Sequence, residues 1–299
     1  MLHIPPTDLK HFMRNAFTKL GVPENDAEIC AEILITSDLR GIESHGIGRL
    51  RLYVDRIFDG LIEKISKPVI IKESPTTAVV DGNHGIGMVI GHYANTLAIK
   101  KAKEFGMGSV AVRNSTHFGI DGYYPLMAVD AGMIGMSFTN ARPSVAPTFS
   151  VQPVLGTNPI AFGAPTDEDF PFLYDAATSI TQRGKIEVLN REEKPVKAGW
   201  VVNNEGSLID DPGKVLSGLV SGEASLLPLG GLGEGYGGHK GYGLSAMVEI
   251  LSASLQSGAF LSALSGLDEQ GNPTRFRVGH FFMAINIENF VDLPIFKKN

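Results

Sequence analysis

The chain has 299 residues, 43% of them apolar and 19% charged, which gives material for roughly two ordinary domains and excludes a disordered composition. A net charge of −6 without a dense Lys/Arg run argues against nucleic acid as a partner. Cys30 is the single cysteine, so the chain can make no internal disulfide or cysteine-based metal site, and no apolar run approaches the ~18 residues that span a bilayer.

The opening Met-Leu-His-Ile-Pro-Pro has no basic segment followed by an apolar one, so no secretory leader is expected and a soluble cytoplasmic protein is the default. Residues 5 to 61 read as helical. Thr7 is the expected N-cap of a helix over Asp8–Leu20, with Leu9, Phe12, Met13, Phe17 and Leu20 as its apolar stripe. Asn25 caps the next, which carries Ala27, Cys30, Ala31, Leu34 and Ile35. A third helix begins near Gly46 within Ser44-His45-Gly46-Ile47-Gly48-Arg49-Leu50-Arg51-Leu52-Tyr53. If that segment is helical, His45, Arg49 and Tyr53 fall at i, i+4 and i+8 on one face. An imidazole, a guanidinium and a phenol together suit a small oxo- or hydroxy-acid, with the planar cation on its carboxylate. A solvated helix start is the bland alternative.

From Thr76 the pattern changes. Thr77–Val80 reads as a strand, Met88–Phe105 as a helix and Gly108–Val112 as a strand. Gly85-Ile86-Gly87 imitates a dinucleotide-binding fingerprint, but Ile90 stands where the third glycine belongs. The following strand also ends in Arg113 rather than an acidic residue, so a turn that lets the helix enter close to the sheet fits better. His117, in Asn114-Ser115-Thr116-His117-Phe118-Gly119, sits at a strand end where it can face a cleft. Further strands are expected over Met133–Thr139, Ile160–Gly163 and Phe172–Asp175. Thr178 and Ser179 precede a helical run through Arg183 and Lys185 to Asn190, equipment suited either to a phosphate or to ordinary capping.

Residues 191–229 read as polar and turn-rich, with Trp200 packing an edge. Eight of the fourteen residues from Gly230 to Gly243 are glycine, a loop able to bring backbone close to a ligand, with Lys240 available for a phosphate. A helix over Leu244–Gln256, with Met247, Val248, Leu251 and Leu255 on one stripe, and a strand over Arg275–Ile287 close the chain. With no H-x-x-x-H or clustered carboxylates, no metal is expected.

Together these motifs resemble the type-2 malate/L-lactate dehydrogenase family. The resemblance rests on Ser44-His45-Gly46 with Arg49 and Tyr53, Ser115-Thr116-His117-Phe118-Gly119, Thr139-Asn140-Ala141 and Leu155-Gly156-Thr157-Asn158-Pro159. Asp175-Ala176-Ala177-Thr178-Ser179 with Gly184-Lys185, and Gly238-His239-Lys240-Gly241-Tyr242-Gly243-Leu244, complete it in order. It implies a mixed α+β, non-Rossmann dinucleotide-binding fold, with a mixed sheet and a helical N-terminal part. It also implies a homodimer with the active site near the subunit interface.

The resemblance makes His117 the acid/base residue, His45 a second proton-handling group and Arg49 the carboxylate clamp, with Ser44 and Tyr53 beside them. It assigns NAD or NADP to Asn140, Asp175, Ala176, Ala177, Thr178, Ser179, Thr181, His239 and Lys240. The expected division is a helical part over 1–74, packed with the 242–257 helix, a mixed-sheet cofactor and substrate domain over 75–229, and the Gly-rich loop, helix and final strand over 230–299. Relatives usually continue past the last strand, so a shortened C-terminus is expected here. The expected reaction is hydride transfer between NAD(P)H and a small 2-oxo/2-hydroxy acid, with malate/oxaloacetate first. Lactate, ureidoglycolate, sulfolactate, diketogulonate or a cyclic imino acid are the alternatives, as is a catalytically impaired ligand-binding homologue. No nucleic acid or membrane partner is expected.

Overall fold

The computed structural model describes residues 4–298; the leader reading at Met1–His3 and the chain end at Asn299 fall outside them. Three helices come first: α1 (Pro6–Lys19), α2 (Glu24–Leu39) and α3 (Leu50–Phe58). Neither Thr7 nor Asn25 caps. Both helices start two residues earlier, α1 at Pro6 and α2 directly after Pro23, because proline pre-sets the backbone angle that a first turn needs. Met13 and Phe17 are fully buried, whereas Phe12 faces solvent. Ala27, Cys30, Ala31, Leu34 and Ile35 of α2 join the main core.

The larger correction concerns α3. Asp38, near the end of α2, accepts a hydrogen bond from Ile47 N at 2.8 Å, and its carboxylate fills the space a side chain at Gly46 would need. The chain turns there and passes through a 3-10 turn (Ile47–Arg49) before becoming α-helical. His45 therefore lies outside the helix, and the expected common face does not exist.

The strands are β1 (Val69–Glu73), β2 (Thr77–Asp81), β3 (Met107–Ser115), β4 (Met133–Thr139), β5 (Ile160–Ala164), β6 (Phe172–Ala176), β7 (Val201–Asn203), β8 (Ala224–Leu226) and β9 (Val278–Asn286). Seven form one mixed sheet in the order β1-β2-β3-β9-β4-β5-β6, in which only β2 and β3 pair in parallel. The last strand thus fills the centre of the sheet. Because β9 runs antiparallel to both β3 and β4, those two run the same way, and β6 joins them through antiparallel β5. The C-terminal ends of β3, β4 and β6 and the start of β9 consequently share one edge of the sheet. The site lies at that edge.

Helix α4 (Gly87–Phe105) runs from β2 to β3, and α5 (Tyr123–Asp130) packs on β4. Sequence reading missed α5 and β1. β1 is an edge strand with no buried residue, so it carries no alternating signal. Residues 191–229 hold more structure than their polarity suggested. There α7 (Pro212–Ser221), β7 and β8, with α6 (Arg183–Arg191) before them, enclose a second core of Val145, Leu155, Ile186, Val201, Val215 and Leu226. Trp200 packs against it.

Helix α8 (Gly238–Ala253) begins six residues before the expected Leu244 and contacts β9, β4 and β3. Of its expected stripe only Val248 is buried; Met247 and Leu255 are exposed. Its buried face is built from Gly238, Gly241, Ser245, Val248, Glu249 and Ser252. Small residues let the helix lie against backbone: a Cβ at Gly238 would strike the carbonyl of Gly231, and one at Gly241 that of Leu229. Among the described residues no helix is long and apolar enough to cross a membrane.

Candidate active site

His117 follows β3 in a loop held from both sides. Beneath it, Gly87 N donates to Thr116 Oγ1 at 2.8 Å, and a Cβ at Gly87 would collide with the carbonyls of Thr116 and His117. The Gly85-Ile86-Gly87 turn thus serves close helix entry, as the reading of its defective fingerprint held. Beyond His117, Phe118 stacks on buried His280, with centroids 4.4 Å apart, and its carbonyl accepts the Tyr124 hydroxyl at 2.6 Å. His280 is fixed in turn by Thr139 Oγ1 and Ser115 Oγ, each 2.8 Å from a ring nitrogen. Burial pushes its pKa down to about 3, so the ring is neutral at working pH.

The structure brings together Ser44, His45, Tyr53 and His117. Tyr53, fully buried on α3, places its hydroxyl 2.6 Å from His117 Nδ1, and Gly119 N donates to the same nitrogen at 3.3 Å. Both contacts use Nδ1, which leaves Nε2 for chemistry. His45 stacks on His117 at 5.4 Å, and its own Nδ1 lies 2.8 Å from Ser44 Oγ. Burial, reinforced by Arg49, pushes His45 down to about 4. Burial, then His45, Arg49 and Arg56, holds His117 well below the usual imidazole value. In this environment the His117 ring is neutral at working pH.

Arg49 sits beside both histidines, but its guanidinium is already engaged. Its Nε donates to Ser44 O at 2.6 Å, and Nη2 lies 3.8 Å from Glu187 Oε2 on α6. The wall of the His117 cavity, a space of about 340 Å³, instead carries Arg56 and Arg142. Sequence reading missed both. Arg56 was findable, because it stands three residues after Tyr53 on α3 and shares that helix face. Asp121 and Asp175 lie on the same wall. Burial, with the neighbouring Asp175, holds the Asp121 carboxyl well above its usual range, and burial raises Asp175 as well.

The residues expected at the cofactor divide into three groups. Asn140, Asp175, Ala176 and Ala177 line the His117 cavity. Of these, Asn140 already binds inward, accepting from Gly279 N at 2.8 Å and donating to Ala259 O at 3.3 Å. Asp175 Oδ2 accepts from Gly122 N at 2.8 Å. Thr178 and Ser179 are buried and donate to the carbonyls of Asn158 and Thr181, while Thr181 Oγ1 is buried without a partner. They do not open the helix either, since α6 starts at Arg183 behind Gln182. The hydroxyl-flanked helix start is therefore corrected to an internal brace.

His239 and Lys240 line a different hollow, with Gly230, Glu234 and Leu244, at the N-terminus of α8. Both are exposed, and their side chains make no hydrogen bond or ion pair with another described residue. A free cation at the start of a 16-residue helix suits a phosphate. The cation at the start of α8 and the polar lining of the His117 cavity fit a phosphate-bearing cofactor.

Comparison with known proteins points the same way. The family model described as malate/L-lactate dehydrogenase matches residues 4–299. A malate dehydrogenase of Pyrococcus horikoshii is 49% identical over 99% of this chain and 80% of its own length. An L-sulfolactate dehydrogenase of Methanocaldococcus jannaschii is 39% identical over 99% of this chain and 81% of its own. The crystal structure of malate dehydrogenase from Entamoeba histolytica superposes with a TM-score of 0.96 at 47% identity, over all of this chain and 82% of that one.

Proposed function

The chain belongs to the malate/L-lactate dehydrogenase family, and we propose that it interconverts malate and oxaloacetate with NAD or NADP. It is an NAD(P)-dependent hydroxy acid dehydrogenase. One observation carries the residue-level reading: a half-buried His117 whose Nδ1 is committed to Tyr53 faces a cavity walled by guanidinium groups.

When bound, the nicotinamide supplies or receives the hydride. The residues of this chain manage the proton and the charge. To oxidise malate, Nε2 of neutral His117 takes the hydroxyl proton, which requires the ring proton on Nδ1. Tyr53 Oη, at 2.6 Å, accepts a hydrogen bond from that Nδ1–H, and the longer Gly119 N contact at 3.3 Å, which needs a bare Nδ1, is given up in this tautomer. In the reducing direction His117 must first gain a proton against its surroundings. An incoming carboxylate offsets the arginine field that disfavours the imidazolium, so acid binding itself prepares the donor. His45, neutral and stacked on the ring, excludes water from one face.

The finer readings belong here too. Leu244, Met247 and Ile250 on α8, with Leu255 in the 3-10 turn after it, leave an apolar face exposed, which supports a homodimer; a light-scattering mass of one chain overturns that reading. A cytoplasmic location agrees with the single buried cysteine.

A spectrophotometric panel tests the function. Oxaloacetate, pyruvate, 3-sulfopyruvate and a cyclic imino acid are each offered with NADH and with NADPH. Oxaloacetate should give the highest kcat/KM. No turnover of any acid, with NADH binding retained by fluorescence titration, favours the impaired-homologue alternative.

A further inference from the structure

Arg56 is the cation of this site that nothing in the protein explains. It is half-buried, lines the cavity, and its guanidinium makes no hydrogen bond or ion pair with any described residue. Its Cζ lies 4.0 Å over the ring of Phe276. That ring is a fixed platform. Phe276 O accepts from His84 Nδ1 at 2.9 Å, and Gly266, at φ +72°, is a glycine against which the ring lies, since a Cβ there would be 2.6 Å from it. A ring face orients a guanidinium without neutralising it.

The charges that act on Arg56 make matters worse rather than better. Burial disfavours its cation most; Tyr53 acts the other way, Arg142 and Arg49 add to the penalty, and no carboxylate offsets them. Arg49, by contrast, has Ser44 O and Glu187, and Arg142 is exposed to water. A desolvated and unpaired cation is costly unless a ligand supplies the counter-charge.

Position suggests which part of a ligand does so. Tyr53, which touches His117, is three residues earlier on α3, so the two side chains leave the helix about 4.5 Å apart along its axis. Arg56 is thus offset from the reacting centre. Arg142, on the same cavity wall, remains for the carboxylate that every 2-hydroxy acid carries.

We propose that Arg56 binds the second anionic group of the substrate, so that the site selects 2-oxo and 2-hydroxy acids bearing a carboxylate or sulfonate on the next carbon over monoanionic acids of similar length. This rests on the dehydrogenase reading above and assigns its specificity to one residue.

The test compares wild type, Arg56→Met and Arg56→Lys on oxaloacetate and on 2-oxobutyrate, which keeps four carbons but lacks the distal carboxylate. The ratio of the two kcat/KM values should fall about 10²-fold in Arg56→Met and less in Arg56→Lys, as expected for truncating one partner of a buried charged contact. An unchanged ratio, or equal loss on both acids, overturns the proposal, because Arg56 then acts on structure or on the common carboxylate.

Calorimetric binding of malonate against propionate to the NADH-bound protein reads the same preference without turnover. Should wild type reduce neither acid, the function reading fails, yet a malonate preference lost in Arg56→Met still supports the role of Arg56. Wild type that binds malonate no better than propionate overturns it, whether or not the variants fold.

Discussion

The loop bearing His117 and the glycine-rich turn bearing His239 and Lys240 both present a histidine near glycines, and they are built on opposite principles. Around His117 almost every polar group already has a partner. Tyr53, Thr116, Gly87, Tyr124 and His280 fix the loop before any ligand arrives. At the glycine-rich turn the side chains point into water, and the glycines at 238 and 241 serve backbone packing of α8. The first region has the rigidity that chemistry would need, since a misplacement of about 1 Å is costly. The second can be completed by whatever anion reaches it.

The hardest test of this contrast is His117→Asn. Turnover should fall by about 10²–10⁴, the usual weight of a general acid or base, while NADH affinity by fluorescence titration stays within a few-fold. Turnover that survives would hand the proton role to His45.

Lys240→Ala reverses the pattern. It should weaken NADH binding by about 1.5–3 kcal/mol, as for a lost charge-assisted contact, and leave turnover at saturating cofactor near wild type. Unchanged affinity would reduce the turn to packing alone.

A single methyl probes the packing on each side. Gly87→Ala drives a Cβ into the Thr116 and His117 carbonyls and should cost about 1–3 kcal/mol of stability together with activity. Gly235→Ala, with nothing within 4 Å of its Cβ, should leave the melting temperature unchanged. Equal effects at both positions would erase the distinction between the regions.

The gentlest test is pH. His117 lies below the ordinary imidazole value, so the acid limb of kcat/KM for malate oxidation should fall below about 6.5. Stability shares that direction. His45 and His280 have folded pKa values of about 4 and about 3, so the folded state binds fewer protons than the unfolded chain in this range. Their contribution is complete above about 6.5 and is lost as pH falls through the folded values. The melting temperature should drop over that window, and less steeply in His45→Asn. Asp121 and Glu249, whose values are raised, act in the opposite sense as pH rises.

Some of this was written locally in the sequence. Met133–Thr139 is the strand that its run of apolar residues announced, and His117 could be placed at a strand end, because both signals lie within a few neighbouring residues. The motifs in chain order carried the family and the reaction class. What the sequence could not settle was decided by contacts between distant segments. Asp38 ends one helix and turns the chain at Gly46, so His45 reaches His117 by stacking rather than from a shared helix face. The last strand enters the middle of the sheet, and Phe276, just before it, supplies the platform for Arg56, 220 residues away. Burial inverted the reading of α8, where glycine and serine face the sheet and the large side chains face solvent. Periodicity reports which residues could be buried along one helix or strand. Which of them meet, and which cation is left without a counter-charge, depends on pairings across the whole chain that no local window contains.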